Sequence, residues 1–206
     1  MLAIVALAAP PAPAAEFDTP ALLARLVRPP PDTTTFVEIR YSALLAEPLV
    51  ASGRLEHRAD GALVRQVTAP YRETTTLRGE NVRVEREGGR PRSFSLDRAP
   101  ELRGMLASFG ALLTGDRAML ERHFGVVASG SDARWQIELS PLDERLQRRL
   151  VAIRVDGSGD RARCFTMTEP DGDASVMTLG VPDRASLPES LARASLQAWC
   201  AGEAER

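Results

Sequence analysis

The 206-residue sequence predicts a mainly β fold of the α+β kind: one large, bent antiparallel sheet with a few helices laid against it. Three observations carry that expectation. Between Thr33 and Glu87 apolar residues recur with a period of two, in short runs separated by turn residues. The period becomes helical only between Ala99 and Phe124 and near the two ends of the chain. Strands resume from Trp135, and most connections are too short for a crossover helix, so neighbouring strands run antiparallel. Roughly eight or more strands with so few helices make one curved sheet, not a doubly wound layer.

The chain opens MLAIVALAAPPAPAAEF, a short apolar core from Leu2 to Ala9 followed by two prolines and the string Ala12-Pro13-Ala14-Ala15. This is the layout of a secretory signal cleaved near Ala14 or Ala15, with a core too short to span a bilayer; a structureless Ala/Pro tail is the alternative. Residues 16–206 are then a single exported domain. Thr19-Pro20 ahead of Leu22, Leu23, Leu26 and Val27 reads as an amphipathic helix with proline in its first turn, and Pro29-Pro30-Pro31 stops it. Thr34 to Tyr41 forms the first strand, with Val37, Ile39 and Tyr41 on one face and Phe36, Glu38 and Arg40 on the other. Leu49 to Arg58 forms the second, which places Leu49, Ala51, Gly53, Leu55 and His57 together. Asp60-Gly61 turns the chain into a strand from Ala62 to Thr68. Thr74 to Leu77 and Val82 to Arg86 follow, and Gly88-Gly89 is expected to end the meander.

Leu102, Leu106, Phe109, Leu112 and Leu113 mark one helix, broken at Thr114-Gly115. Asp116 caps a second that carries Met119, Leu120 and Phe124. Trp135, Ile137 and Leu139 lie on the next strand. Pro141 opens a loop, and Leu150 to Val155 is extended again. Asp156-Gly157-Ser158-Gly159-Asp160 has the makings of a hairpin turn. Ala162 to Thr168 and Ala174 to Leu179 form a hairpin across Asp171-Gly172-Asp173, and a last helix covers Leu187 to Trp199.

Composition narrows the function. The chain is 44% hydrophobic and 26% charged with a net charge of −2, a globular composition without the basic excess that nucleic-acid binding requires. All basic residues other than the two histidines are arginine. His57 and His123 have no partner at metal-ligand spacing, no Gly-x-Ser-x-Gly occurs, and no glycine-rich loop opens a helix, so neither a metal, a cofactor nor an enzymatic activity is expected. Asp171-Gly172-Asp173 lacks the rest of a calcium-loop pattern and reads as a turn. Cys164 and Cys200 are the only cysteines; in an exported protein they favour one disulfide, and otherwise they are two buried thiols.

The order of short motifs adds a further indication. An N-terminal helix (Leu22-Leu23-Ala24-Arg25-Leu26) precedes Thr35-Phe36-Val37-Glu38, Gly53-Arg54-Leu55, the hairpin Ala59-Asp60-Gly61, Val67-Thr68-Ala69-Pro70 and Leu77-Arg78-Gly79. Leu112-Leu113-Thr114-Gly115-Asp116 and Trp135-Gln136-Ile137-Glu138-Leu139-Ser140-Pro141 come later. In this order and spacing, up to about Leu179, the chain resembles the LolA-type periplasmic lipoprotein carriers and their LolA-like relatives. The resemblance implies an unclosed half-barrel whose concave side is covered by a helical lid, with acyl chains carried between the two. It implies a periplasmic, monomeric carrier without cofactor, taking a lipidated protein or other lipid cargo from an inner-membrane transporter and passing it to an outer-membrane acceptor. Cargo-contacting positions are then expected at Val37, Ile39, Leu55, Leu63 and Val67 of the early strands. Leu106, Phe109, Leu112 and Leu113 would contribute from the lid, and Leu139 and Ile153 from the late strands.

Where such carriers have Arg-Pro in the hairpin, this chain has Ala59-Asp60, and Arg65 stands in the following strand at an apolar position. Burying Arg65 unpaired beside Leu63 and Val67 would be costly. It therefore either pairs with a local carboxylate, meets the acidic head of a cargo, or is turned into solvent by strand twist. These departures bear on the cargo more than on the fold. A binding domain that senses lipid in the envelope without shuttling it is the alternative function.

Overall fold

The computed structural model describes residues 17–96, 110 and 116–203. The leader segment 1–15 and the lid positions Leu106, Phe109, Leu112 and Leu113 lie outside them. The chain enters on a short helix, α1 (Thr19–Arg25), where the Asp18 carboxylate accepts from the Ala21 amide at 2.9 Å and Pro20 sits in the first turn, where its missing N–H costs nothing. Six strands follow: β1 (Asp32–Tyr41), β2 (Leu49–His57), β3 (Leu63–Ala69), β4 (Glu73–Arg78), β5 (Asn81–Arg86) and β6 (Arg92–Ser95). The meander therefore does not stop at Gly88-Gly89: these glycines turn the chain into β6, a strand of four residues whose single apolar side chain, Phe94, left no alternation to read.

The helix α2 (Arg117–His123) is capped by Asp116, whose carboxylate accepts from the Met119 amide at 3.0 Å. It ends one residue before the expected Phe124, which begins β7 (Phe124–Ser131). The sequence of β7, FGVVASGS, is mostly small residues, and its periodicity is too weak to announce a strand. Next come β8 (Arg134–Pro141), a short α3 (Glu144–Gln147) capped by Asp143, β9 (Ala152–Ser158), β10 (Arg161–Thr168) and β11 (Ala174–Leu179). Asp156, Gly157 and Ser158, expected in a turn, belong to β9, and the turn itself is made at Gly159-Asp160. The last helix, α4 (Arg193–Cys200), is shorter than expected because Pro188 and its neighbours stay non-helical.

All eleven strands form one sheet in the order β6-β5-β4-β3-β2-β1-β11-β10-β9-β8-β7, antiparallel throughout. β6 and β7 are its two edges and do not pair, so the barrel is unclosed. Register sorts the side chains into two faces. On one face Ile137 stands opposite Val155 and Leu139 opposite Ile153, and Leu22, Leu23 and Leu120 of α1 and α2 bury against them. We call this the inner face. It continues through Phe36, Ala51 and Val67, a second buried group. On the outer face Val37, Ile39, Cys164 and Val176 pack beneath Leu196 and Cys200 of α4. The Cys164–Cys200 disulfide ties α4 to β10 across a sequence separation of 36 residues. In the chain-entropy treatment such a loop closure contributes about 4 kcal/mol.

Two glycines are dictated by close approach. The β2–β3 register shifts between Ser52 and Gly53, and a Cβ at Gly53 would lie 1.8 Å from the backbone oxygen of Gln66. A Cβ at Gly157 would meet the Trp135 ring at 2.1 Å; that indole lies across the glycine and donates to the Gly159 carbonyl at 2.9 Å.

Gly53→Ala is expected to lower stability by about 2–3 kcal/mol, because backbone and not a mobile side chain opposes the new methyl; urea unfolding checks it. A pH effect follows from the outer face, where burial holds the Asp156 carboxyl above its ordinary range although Arg154 Nε donates to it at 2.9 Å. A carboxyl raised in the folded state favours folding below its unfolded value and loses that contribution as pH rises through the folded one. Asp156→Asn should therefore gain stability relative to the parent as pH climbs from about 4 toward neutrality, measured by thermal unfolding across that range.

Candidate functional site

Among the described residues the inner face is not covered evenly. Helices α1 and α2 bury the half formed by β7 to β10. Over β3 to β5 the side chains alternate so that Leu63, Leu77 and Val82 share one row, paired through Leu63 with Leu77 and Leu77 with Val82. Leu63 and Leu77 are only half-buried. Between them and α2 lies a half-open cavity of about 540 Å3, lined also by Leu96, Gly110 and the Gly61 and Gly79 turns, with Met119, Arg122 and His123 on its α2 side. The volume falls within the range of small-molecule sites, about 300–1,000 Å3. A smaller space of about 270 Å3 beside the end of α1 is lined by Leu26, Val155, Phe165 and Leu179 together with the charged Arg28, Asp160, Arg161 and Arg163.

One row along from Leu63, Arg65 also points to the inner face, opposite Leu55 on β2 and Thr75 on β4. Its guanidinium reaches across β2 and pairs with the Glu38 carboxylate of β1, while its central carbon lies 5.0 Å from the centre of the Phe36 ring. The strand crossed offers Ala51 opposite Glu38 and Gly53 opposite Phe36, so only small residues stand in the way. Glu38 keeps 5% of its surface and is also 3.5 Å from Arg40. Of the three alternatives for Arg65, the local carboxylate is the one the structure adopts. The pair stands on the inner face between the cavity row and the Phe36–Val67 group.

The expected contact residues separate accordingly. Leu63 lines the cavity. Leu55, Arg65 and Val67 share its face farther along β2 and β3, and Leu139 and Ile153 lie in the core beneath α1 and α2. Val37 and Ile39 do not join them: they occupy the outer face, under α4. Their alternation with Phe36 and Glu38 was evident, but an apolar row marks a buried face without saying which face, and here both faces of β1 are covered. The lining residues not anticipated are Leu77, Leu96, Met119, Arg122 and His123. Met119 was legible as a helix residue; what could not be read was that α2 would face the Leu63–Leu77 row across a cavity. Among the described residues no group of three or more His, Cys, Asp or Glu side chains is placed to hold a metal, and no helix is long and apolar enough to cross a membrane.

Comparison with known proteins completes the description. Residues 9–202 match the family model of outer membrane lipoprotein carrier protein LolA-like sequences. A comparison with curated proteins finds no match. Among solved structures the chain is similar to a LolA superfamily protein of Nitrosomonas europaea, at 12% identity and a TM-score of 0.41, over 82% of this chain and 94% of the other. It is also similar to LprF of Mycobacterium bovis, at 14% identity and a TM-score of 0.33, over 80% and 93% of the two chains. MucB, solved in complex with MucA(peri), matches at 16% identity and a TM-score of 0.37, over 84% of this chain and 60% of that one.

Replacing Arg65 by Leu leaves Glu38 buried without its main partner and should cost about 2 kcal/mol, less than the roughly 3–5 of a fully enclosed pair because Arg65 retains water contact. Replacing both, Glu38→Gln with Arg65→Leu, should recover much of that loss. A double-mutant cycle by chemical denaturation measures both terms.

Proposed function

We propose that this chain, which belongs to the LolA-like outer membrane lipoprotein carrier family, is a periplasmic carrier that holds the acyl chains of a lipoprotein or other lipid-linked cargo and shuttles them toward the outer membrane. The single observation that carries the reading is the apolar space between the β3–β4 row and α2, lined by Leu63, Leu77, Leu96 and Met119. An unclosed sheet allows such a space because its inner face meets helices, not a second sheet, and helices can part from it with few backbone hydrogen bonds to break. Burial of an acyl chain contributes about 0.8 kcal/mol per methylene, so ten enclosed methylenes supply roughly 8 kcal/mol before the costs of binding, near micromolar affinity. That strength suits a carrier, which must hold its cargo in water and still give it up. An inner-membrane transporter as donor and an outer-membrane receptor as acceptor complete the proposed route.

Transfer tests the reading. Vesicles carrying a fluorescent acyl-lipid, mixed with unlabelled acceptor vesicles, should exchange label faster in proportion to added protein. Leu63→Glu and Met119→Glu, which put a carboxylate on either wall, should each reduce that acceleration about tenfold or more. Saturable binding without accelerated transfer would assign the protein instead to lipid sensing, and absence of binding would refute an acyl site altogether.

A further inference from the structure

We infer that the cargo of this cavity carries an anionic group, a carboxylate or a phosphate, which Arg122 receives at the cavity's α2 end. The inference rests on the acyl-carrier reading and adds the chemistry of the head. Among the described residues, several charges around the site are already matched in pairs. Arg78 pairs with Asp60 at 2.5 Å beside the Gly61 and Gly79 turns, Arg58 with Glu56 at 3.0 Å, and Arg65 with Glu38. On α2 itself, Arg117 pairs with Glu121 at 2.6 Å. Glu80, the carboxylate among the described lining residues, has an interaction of its own. Arg122 lines the cavity and makes no ion pair among the described residues.

The position matters as much as the charge. Arg122 and Met119 are three residues apart on α2, hence neighbours on one helix surface, and both reach the same cavity. One helix thus presents a thioether to the chain and a guanidinium to what the chain ends in. A guanidinium offers a planar fork of donors that fits carboxylate and phosphate oxygens alike, and the neighbouring His123 ring adds a further nitrogen at the same end. Arg65, although it shares the inner face, is spoken for by Glu38 and is not the anchor.

Binding of three twelve-carbon probes below their micelle concentrations tests this by calorimetry: laurate, dodecyl phosphate and the uncharged monolaurin. The parent chain should bind at least one of the two anions about tenfold more tightly than monolaurin, the scale of one charge-assisted hydrogen bond, and whichever is preferred identifies carboxylate or phosphate. Arg122→Gln should bring that anion to within about twofold of monolaurin, and Arg122→Lys should keep most of the preference. Equal affinity for all three probes in the parent would overturn the anionic-head inference and leave the acyl-carrier reading standing. Failure of all three to bind would overturn both. A preference that survives in Arg122→Gln would place the anion elsewhere and refute the assignment to Arg122.

Discussion

Everything in this molecule follows from a sheet that does not close. With β6 and β7 as unpaired edges, the inner face cannot be filled by its own opposite wall, as in a small barrel, and has to be covered by helices. α1 and α2 do so thoroughly over β7 to β10, where Leu22, Leu23 and Leu120 meet Ile137, Leu139 and Val155. Over β3 to β5 the described residues of α1 and α2 give less cover, and there the cavity lies.

The Glu38–Arg65 pair stands where these halves meet. An ion pair on an apolar face is seldom a source of net stability, since desolvation cancels much of the attraction. Its evident consequence here is shape. It requires a strand of small residues between its partners, met by Ala51 and Gly53, and it fills with polar atoms a stretch of inner face that would otherwise prolong the apolar row. Gly53 serves twice, as the residue that the shifted β2–β3 register demands and as a gap over which the arginine reaches. On the outer face the disulfide to α4 does comparable work by covalent means, holding a short helix over Val37 and Ile39.

Much of this was legible in the sequence, for physical reasons that differ by element. Strands with strict alternation, such as Leu49 to His57, declared themselves, as did helices with an Asp cap. β6 and β7 did not: one has a single apolar residue, the other is built of Gly, Ser, Ala and Val without a period. The family resemblance was carried by motif order across β1 to β8. The site was only half legible. Leu63 could be placed, yet Leu77, Met119 and Arg122 come to line one cavity only through the tertiary placement of α2 opposite the β3–β4 row, which no local pattern encodes. Val37 and Ile39 show the converse, since a strand covered on both faces gives two apolar rows and alternation cannot choose between them.

The central claim is that a fatty chain lodges between the β3–β4 row and α2. Nuclear Overhauser contacts between a bound, isotope-labelled acyl chain and the methyl groups of the protein test it most directly. The account predicts contacts to Leu63, Leu77 and Met119. Contacts confined to Val37, Ile39 or other outer-face methyls, or to none at all, would contradict it.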